Sequence, residues 1–463
     1  MTRIAIIGAG VSGRLLALNL RRQAAAGDSI QMIDRREQRY MGPAYSDDAD
    51  YLLLNVPTGR MGAFVDDPEH FLKWAQYKGI RAEAFQFLPR GLYRNYVLDL
   101  FQDLQRSQAD GPRFEHLRGN VSDIEAGSVG ATIHVEGAAS FPADKVVLAL
   151  GNFLPRDPPI RHPSAFASGR YARNPWSPDA LAHVSRDDAV ILFGTGQTTI
   201  DLVLALDRHG HKGRIVAISR HGLLPLAHRG FEFYPSFFKE IEGSTNLLNI
   251  FRVVRKHLAR AESNDIDARA VIDSLRPDTQ MLWMHLPVVE KRRFMRHLFR
   301  HWEIIRSRIP PENEAFVQAM RASGRLDVVA GRICDLVDVG EAIELHYTPR
   351  RDRRTVVEQA SVVVNCIGPE TDYDRVDDPL VKRLFDRGLA RPGPANLGFD
   401  ALPDGTIIGR DGVPSRLLHT LGSSMRGVLW EVLAVPDIRV QADLLARHLL
   451  DDAAEAQAAL NGV

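Results

Sequence analysis

At 463 residues the chain is longer than one hydrophobic core usually supports, so at least two domains are expected. Its 45% hydrophobic and 25% charged content is that of a globular protein rather than a disordered one, and its 58 basic and 58 acidic residues argue against a dedicated nucleic-acid binder. Two cysteines, Cys334 and Cys366, are too few for a disulfide framework or a four-cysteine zinc site and too far apart for a CxxC pair. No apolar run has the length of a membrane helix and the N-terminus lacks a signal-peptide pattern, so a cytoplasmic protein without a membrane partner is expected.

In chain order, Ile4–Ile7 reads as a buried strand that feeds into Gly8-Ala-Gly10-Val-Ser12-Gly13. A helical pattern from Arg14 to about Ala25 follows, then a second strand, Ser29–Ile33, ending at Asp34 and Arg35. This strand–turn–helix–strand setting gives a GxGxxG sequence its meaning. Gly8 permits the tight turn, Gly10 lets the backbone approach a pyrophosphate, and Gly13 lets helix and strand pack closely. Asp34 stands where a carboxylate can accept hydrogen bonds from a ribose diol, which suits FAD.

A second such unit begins at Asp188–Phe193, continues through Gly194-Thr-Gly196-Gln197-Thr198-Thr199 into a helix, and ends with the strand Arg214–Ser219 before Arg220. Gly8 and Asp34 are 26 residues apart, as are Gly194 and Arg220. At the ribose-reading position the carboxylate has become a guanidinium, with His221 beside it. Arg220 can pair with a 2′-phosphate, which favours NADPH while leaving NADH open. Thr199 replaces the third glycine and is expected to set the helix slightly away from the strand.

Two β-rich stretches repeat one another: Leu117–Val121, Thr132–Val135 and Lys145–Gly151, then Val329–Ile333, Ala342–His346 and Ser361–Gly368. The expected architecture is α/β, with two Rossmann-like dinucleotide-binding domains. The FAD domain is discontinuous (1–155 and 361–463), and the NAD(P)H domain (156–360) is inserted within it and carries a helical insertion at about 235–323. The stretch 290–308 is rich in Arg and Lys; it reads either as a solvated, ion-paired helix face or as a basic wall beside an anionic substrate or the NADPH phosphates.

Further residues carry a family resemblance. They include Gly42-Pro-Ala-Tyr45, Leu52–Pro57 with Met61, Leu88-Pro-Arg90, Tyr93-Arg94-Asn-Tyr96, Ser219–Pro225, Arg296-His297 with Trp302, Gly422, Gly427, Trp430-Glu431 and Ala434–Gln441. In these the chain resembles the flavin monooxygenase-like FAD/NAD(P)-binding proteins that include urate hydroxylases and aspartate N-monooxygenases. The resemblance covers nearly the whole chain, although Phe299-Arg-His301 departs from the arginine-rich run of many relatives.

The resemblance implies that Asn55 lies by the reactive face of the flavin, with Arg60 and Arg94 as further catalytic candidates and Met61 beside the cofactor. It places Val121, Gly151, Gly368, Gly422 and Pro436 among the nucleotide-contacting positions, with the helix near Pro436 aimed at the flavin N1–C2=O edge.

The expected activity is an NAD(P)H-dependent FAD monooxygenase that uses O2 and a flavin C4a-hydroperoxide to hydroxylate a small nitrogen-containing or anionic metabolite. An FAD-dependent dehydrogenase that passes electrons to a partner or quinone, and a non-catalytic FAD-binding redox sensor, remain open alternatives. No metal site is expected, and the sequence is silent on oligomeric state.

Overall fold

The computed structural model describes residues 1–461 apart from 38–39, 47–49, 107–110, 128, 231 and 353. The chain opens with β1 (Arg3–Ile7), α1 (Val11–Gln23), β2 (Ser29–Asp34), α2 (His70–Tyr77) and α3 (Arg90–Arg106). Next come β3 (Arg113–Arg118), β4 (Val121–Ala126), β5 (Ala131–Val135), β6 (Phe141–Ala143) and β7 (Lys145–Leu148). A second unit starts with β8 (Tyr171–Ala172), β9 (Val190–Phe193), α4 (Gln197–Arg208) and β10 (Ile215–Ser219). It goes on through α5 (Leu247–Glu262), α6 (Ala268–Ser274), α7 (Thr279–His285), α8 (Val288–His297), α9 (Phe299–Arg306) and α10 (Pro311–Ala322). It then returns to strand in β11 (Leu326–Asp338), β12 (Ile343–Pro349), β13 (Val356–Ala360) and β14 (Val362–Asn365). The last segment holds α11 (Pro379–Asp386), β15 (Thr406–Ile408), β16 (Pro414–Thr420) and α12 (Val435–Asn461).

Two sheets organise these elements. The first has the order β15-β16-β7-β1-β2-β3 and is parallel except at β15. The second has the order β13-β12-β11-β10-β9-β14-β8, parallel from β11 to β8. The central strands β1, β7, β9 and β14 are short, β-branched and almost fully enclosed, as parallel strands with both faces covered must be. Helices α1, α3 and α12 cover one face of the first sheet, while α11 and the β4-β5-β6 meander cover the other.

The β-rich repeat is present, with one difference. In the first unit the chain breaks between β3 and β4 at Gly119-Asn120, and the meander forms its own three-stranded sheet. In the second unit β11 runs unbroken through Gly331, pairing with β10 up to Ala330 and with β12 from Gly331 onward.

The expected boundary at 361 falls one strand too early. β14 pairs in parallel with β9, so the second sheet continues to Asn365 before the chain crosses back. Likewise α10 lies within the span expected as insertion, but it packs on α4 and β11 as the crossover helix entering that strand.

Candidate functional site

The first glycine loop is forced by close backbone contacts. Gly8 has φ +109°, and a Cβ there would sit 2.2 Å from the Ala149 carbonyl oxygen. A Cβ on Gly13 would lie 2.1 Å from the Gly8 carbonyl, so α1 approaches its strand as closely as glycine permits. Gly10, the N-cap of α1, differs: its nearest neighbour to a Cβ is 3.8 Å away, and no side chain caps the helix. The loop is therefore tight on the protein side and open at Gly10, where unpaired amides and the helix dipole favour an anion.

Asp34 ends β2 beside this loop. Its carboxylate accepts from Ala9 N (2.7 Å) and Arg36 N (2.8 Å), while Arg35 is exposed. Gly119 N donates to the Asp34 carbonyl at 2.9 Å, which brings the start of β4 close to the acid; the Val121 side chain itself is buried. Gly422 sits on the first turn of α1, where a Cβ would be 2.7 Å from Ser12 Oγ. Ser423 Oγ donates to the Gly151 carbonyl at 2.9 Å. Gly8, Gly10, Ser12, Gly13, Asp34, Gly151 and Gly422 are thus gathered around one cradle.

The second loop copies the first. Gly194 also has φ +109°, and a Cβ there would be 2.4 Å from the Cys366 carbonyl. At the third glycine position Thr199 is fully buried and its Oγ1 donates to the Gly194 carbonyl at 2.9 Å. The threonine side chain thus hydrogen-bonds the carbonyl whose counterpart in the first loop, that of Gly8, would clash with any Cβ at Gly13.

Gly196 is an uncapped helix N-terminus, with Arg300 Nη1 3.8 Å from the position of its absent Cβ. Arg300 Nη2 donates to the carbonyls of Thr195 (2.9 Å) and Leu223 (2.8 Å), and Gln197 Nε2 donates to that of Arg308 at 3.1 Å. Thr198 is half-buried on the same turn and Gly368, at φ +103°, follows β14. Past β10, Arg220 is exposed and makes no ion pair among the described residues. His221 lines an open hollow of about 650 Å³ with Ala330, Pro349, Arg350 and Arg351, and accepts from Arg350 Nη1 at 3.1 Å. Burial, Arg350 and other nearby cations push the His221 pKa down, leaving the ring neutral and able to accept.

The two cradles are joined around Asn55. The Asn55 carbonyl accepts from His228 Nε2 at 3.0 Å, and the His228 ring packs on Phe87. The Asn55 amide oxygen is enclosed without a hydrogen-bond partner among the described residues, an arrangement usually kept for a reason other than stability. Two residues earlier, the Leu53 carbonyl accepts from Arg90 Nε at 3.0 Å. The rest of the Arg90 fork grips Asp201 on α4 at 2.8 and 2.9 Å, both side chains being 6% exposed. One guanidinium therefore clamps the Asn55 segment and the second nucleotide helix together.

The other loop candidates separate. Arg94 is buried against Asp50 at 2.8 Å, so its charge is already engaged. Met61 is in the core, and Pro436 is buried at the second position of α12. Arg60 keeps exposed surface and has no side-chain partner among the described residues; its carbonyl is held by Arg439 Nη1 at 3.1 Å.

The basic stretch 290–308 breaks between α8 and α9 at Leu298, and four of its arginines are ion-paired, two within the stretch and two to acids outside it. Arg293 meets Glu290, Arg300 meets Glu303 (2.6 Å), Arg306 meets Glu431 (2.7 Å) and Arg308 meets Asp273 (2.8 Å). Sequence reasoning missed His228, the Arg90–Asp201 clamp and the Arg300 buttress. Their partners lie far away along the chain, and no local pattern points to them.

Among the described residues no group of three or more His, Cys, Asp or Glu could hold a metal ion, and no helix is long and apolar enough to cross a membrane. Cys366 is buried beside Thr199 and Asp201, with its thiol pKa pushed well up by burial, and both cysteines are free.

Comparison with known proteins fits two nucleotide cradles. Residues 5–153 match the FAD-NAD(P)-binding family. The uncharacterized protein YdhS of Escherichia coli K12 is 25% identical over 333 residues, or 60% of this chain, and the chain spans 58% of the length of that protein. The reduced form of ornithine hydroxylase from Pseudomonas aeruginosa superposes with a TM-score of 0.64 at 14% identity, covering 98% of this chain and 100% of that one. An ornithine N-hydroxylase of Kutzneria sp. 744, with reduced FAD, NADP+ and L-ornithine, gives a TM-score of 0.63 at 12% identity over 97% and 99% of the two chains. The fold is that of the two-dinucleotide-domain flavoproteins.

Proposed function

We propose that this chain is an FAD-dependent, NADPH-oxidising monooxygenase that places one atom of O2 on a small nitrogen-containing or anionic metabolite. In the overall balance NADPH and a proton supply two reducing equivalents, one oxygen atom enters the substrate, and the other leaves as water. The observation that carries the reading is the pair of matched glycine cradles, each open at its helix N-terminus and joined through Asn55, His228 and the Arg90–Asp201 clamp. FAD fits the first cradle: Gly10 leaves room for a pyrophosphate and Asp34 stands at the ribose position. NADPH fits the second, through Gly196 and Arg220, with a positive rather than a negative ribose reader.

When bound, the flavin supplies the redox and oxygen-transfer chemistry. The chain's own part is positional. Gly10 and Gly196 offer amides to phosphates, and Arg300 holds the second loop in shape. His228 fixes the Asn55 backbone, while Arg90 fixes Leu53 and Asp201. The N-terminal turn of α12, at Pro436, is where the helix dipole would favour negative charge on a flavin held in the first cradle. The free, separated cysteines favour oxygen over a dithiol as electron acceptor.

The solved ornithine and lysine monooxygenases with this fold support an amine or amino-acid substrate class. The test is an NADPH-consumption screen over amino acids, amines and purines, with hydroxylated product and hydrogen peroxide both measured. A monooxygenase yields about one product per NADPH and little peroxide with its substrate. NADPH oxidation that is matched by quinone reduction and never by product would overturn the reading in favour of a dehydrogenase.

A further inference from the structure

Past the end of β10 the chain turns at Ser219–Gly222 and faces the segment that leaves β12 at Arg350. The turn is fixed on two sides. Gly222, at φ +61°, lies so close to β11 that a Cβ there would be 3.0 Å from Ala330 N. Ser219 Oγ accepts from Gly222 N at 3.0 Å and lies 2.9 Å from Thr195 Oγ1 in the second glycine loop. On the other side Pro349 pairs with Gly331, and Arg350 N donates to the Ala330 carbonyl at 2.8 Å. Between the two lies the hollow of about 650 Å³ lined by His221, Ala330, Pro349, Arg350 and Arg351, a size usual for a small-ligand site. The neutral His221 ring accepts from Arg350 Nη1 at 3.1 Å and so holds that fork in the hollow.

The charge around the hollow has one sign. Every ionisable residue lining it is basic. The His301 ring centre is 5.5 Å from that of His221, and Arg220 and Arg300 add their fields to that of Arg350. Arg220, Arg350 and Arg351 are exposed and have no ion pair among the described residues. Two acids stand near by in the sequence and both are engaged. Glu303 pairs with Arg300 at 2.6 Å, and Asp352, which does not line the hollow, accepts from Arg354 N at 3.0 Å.

We propose that Arg350 and Arg351, with His221, are a second reader of the coenzyme: they hold the adenosine 2′-phosphate of NADPH in this hollow, and Arg220 shares that task. This rests on the reading of the second cradle as an NADPH site, and it gives coenzyme choice to a segment far from the glycine loop in sequence. Three observations carry it. The hollow opens at the ribose-reading end of β10, and the Ser219–Thr195 contact ties its rim to the loop that seats the pyrophosphate. The pyrophosphate seat at Gly196 is built from backbone amides, so it leaves the guanidinium groups unaccounted for. A phosphomonoester offers several charged acceptor oxygens, and each guanidinium fork presents parallel N–H donors to match them. A coenzyme without the 2′-phosphate would leave these cations facing a hydroxyl.

Isothermal titration calorimetry of the FAD-loaded protein reads binding without turnover, with adenosine 2′,5′-bisphosphate, 5′-AMP, 2′-AMP and inorganic phosphate as ligands. The bisphosphate should bind about tenfold or more tighter than 5′-AMP. Arg350→Gln and Arg351→Gln should each weaken the bisphosphate by about tenfold and leave 5′-AMP unchanged, and Arg350→Lys should recover part of the loss. Both side chains are exposed, so the melting temperature of the variants should match that of the unsubstituted protein.

Unchanged bisphosphate binding in both glutamine variants overturns the proposal; if Arg220→Ala alone then removes the preference, the NADPH reading stands without the second reader. Equal weakening of the bisphosphate and 5′-AMP also overturns it, because the arginines would then act on the nucleotide as a whole. Inorganic phosphate binding as tightly as 2′-AMP marks a general anion patch and overturns it as well. A protein that binds none of the nucleotides, and whose flavin NADPH leaves oxidised, loses the NADPH reading and this proposal together.

Discussion

Replacing Arg90 by methionine tests how the two nucleotide units are held together. The Arg90–Asp201 pair is bidentate at 2.8 and 2.9 Å, and each side chain is 6% exposed. At an effective dielectric near 20, two unit charges about 4 Å apart attract by about 4 kcal/mol. The desolvation of two buried ions is of similar size, so the intact pair contributes little net stability. Burial pushes the Asp201 carboxyl up and Arg90 pulls it back, which is the same balance seen from one side.

Removing Arg90 alone therefore leaves a buried carboxylate without its partner, at an expected cost of about 3–5 kcal/mol. It also releases the Leu53 carbonyl, two residues from Asn55. The double variant Arg90→Met with Asp201→Leu should recover most of that stability but not the positioning of Leu53. Urea unfolding followed by circular dichroism and by flavin fluorescence measures the first effect, and rapid-mixing flavin reduction by NADPH measures the second. The single variant should also separate the two unfolding curves as the units uncouple. A change below about 1 kcal/mol in the single variant, with no recovery in the double, would refute the clamp.

Gly10→Ala should leave the fold intact, since a Cβ there meets nothing closer than 3.8 Å, yet weaken FAD binding by about tenfold to a hundredfold through lost charged hydrogen bonds. Gly8→Ala should destabilise by about 3 kcal/mol or more, because it adds both a positive-φ strain and a 2.2 Å clash with Ala149. Chemical denaturation and FAD titration on the pair separate cradle from scaffold. Arg220→Ala should raise the Michaelis constant for NADPH on the order of tenfold, and that for NADH much less; equal effects would remove Arg220 from the 2′-phosphate site.

Lys291 is buried, donates to the Gly427 carbonyl at 3.0 Å, and has its pKa pushed down to about 8 by burial. The unfolded chain holds that proton up to about 10.4. Between these values the unfolded state binds more protons, so stability should rise as pH increases from about 8 to 10, by up to about 3 kcal/mol. Other groups titrate alike in both proteins, so the difference from Lys291→Met in denaturant midpoints isolates the effect; a flat difference would contradict it.

Much of the fold could be read from the sequence, because it is written in local patterns. Short β-branched runs ending in glycine gave β1, β7, β9 and β14, and the equal spacings from Gly8 to Asp34 and from Gly194 to Arg220 located both cradles. The boundary near 361 was harder, because only pairing with β9 assigns Val362–Asn365 to the second sheet. The site was legible in its glycines and less so in its charges. Arg94 looked available, and the two readings of 290–308 could not be separated, because the partners Asp50, Asp273 and Glu431 are set by tertiary packing. For the same reason Arg90 gave no sign of reaching Asp201, and His228 none of reaching Asn55.

The central claim is that NADPH in the second cradle reduces FAD in the first. An anaerobic titration of the purified, FAD-loaded protein with NADPH, followed at the flavin absorbance, tests it directly. The account predicts complete bleaching at about one NADPH per flavin and the return of colour when oxygen is admitted. A protein that holds no flavin, or a bound flavin that NADPH leaves oxidised, would contradict it.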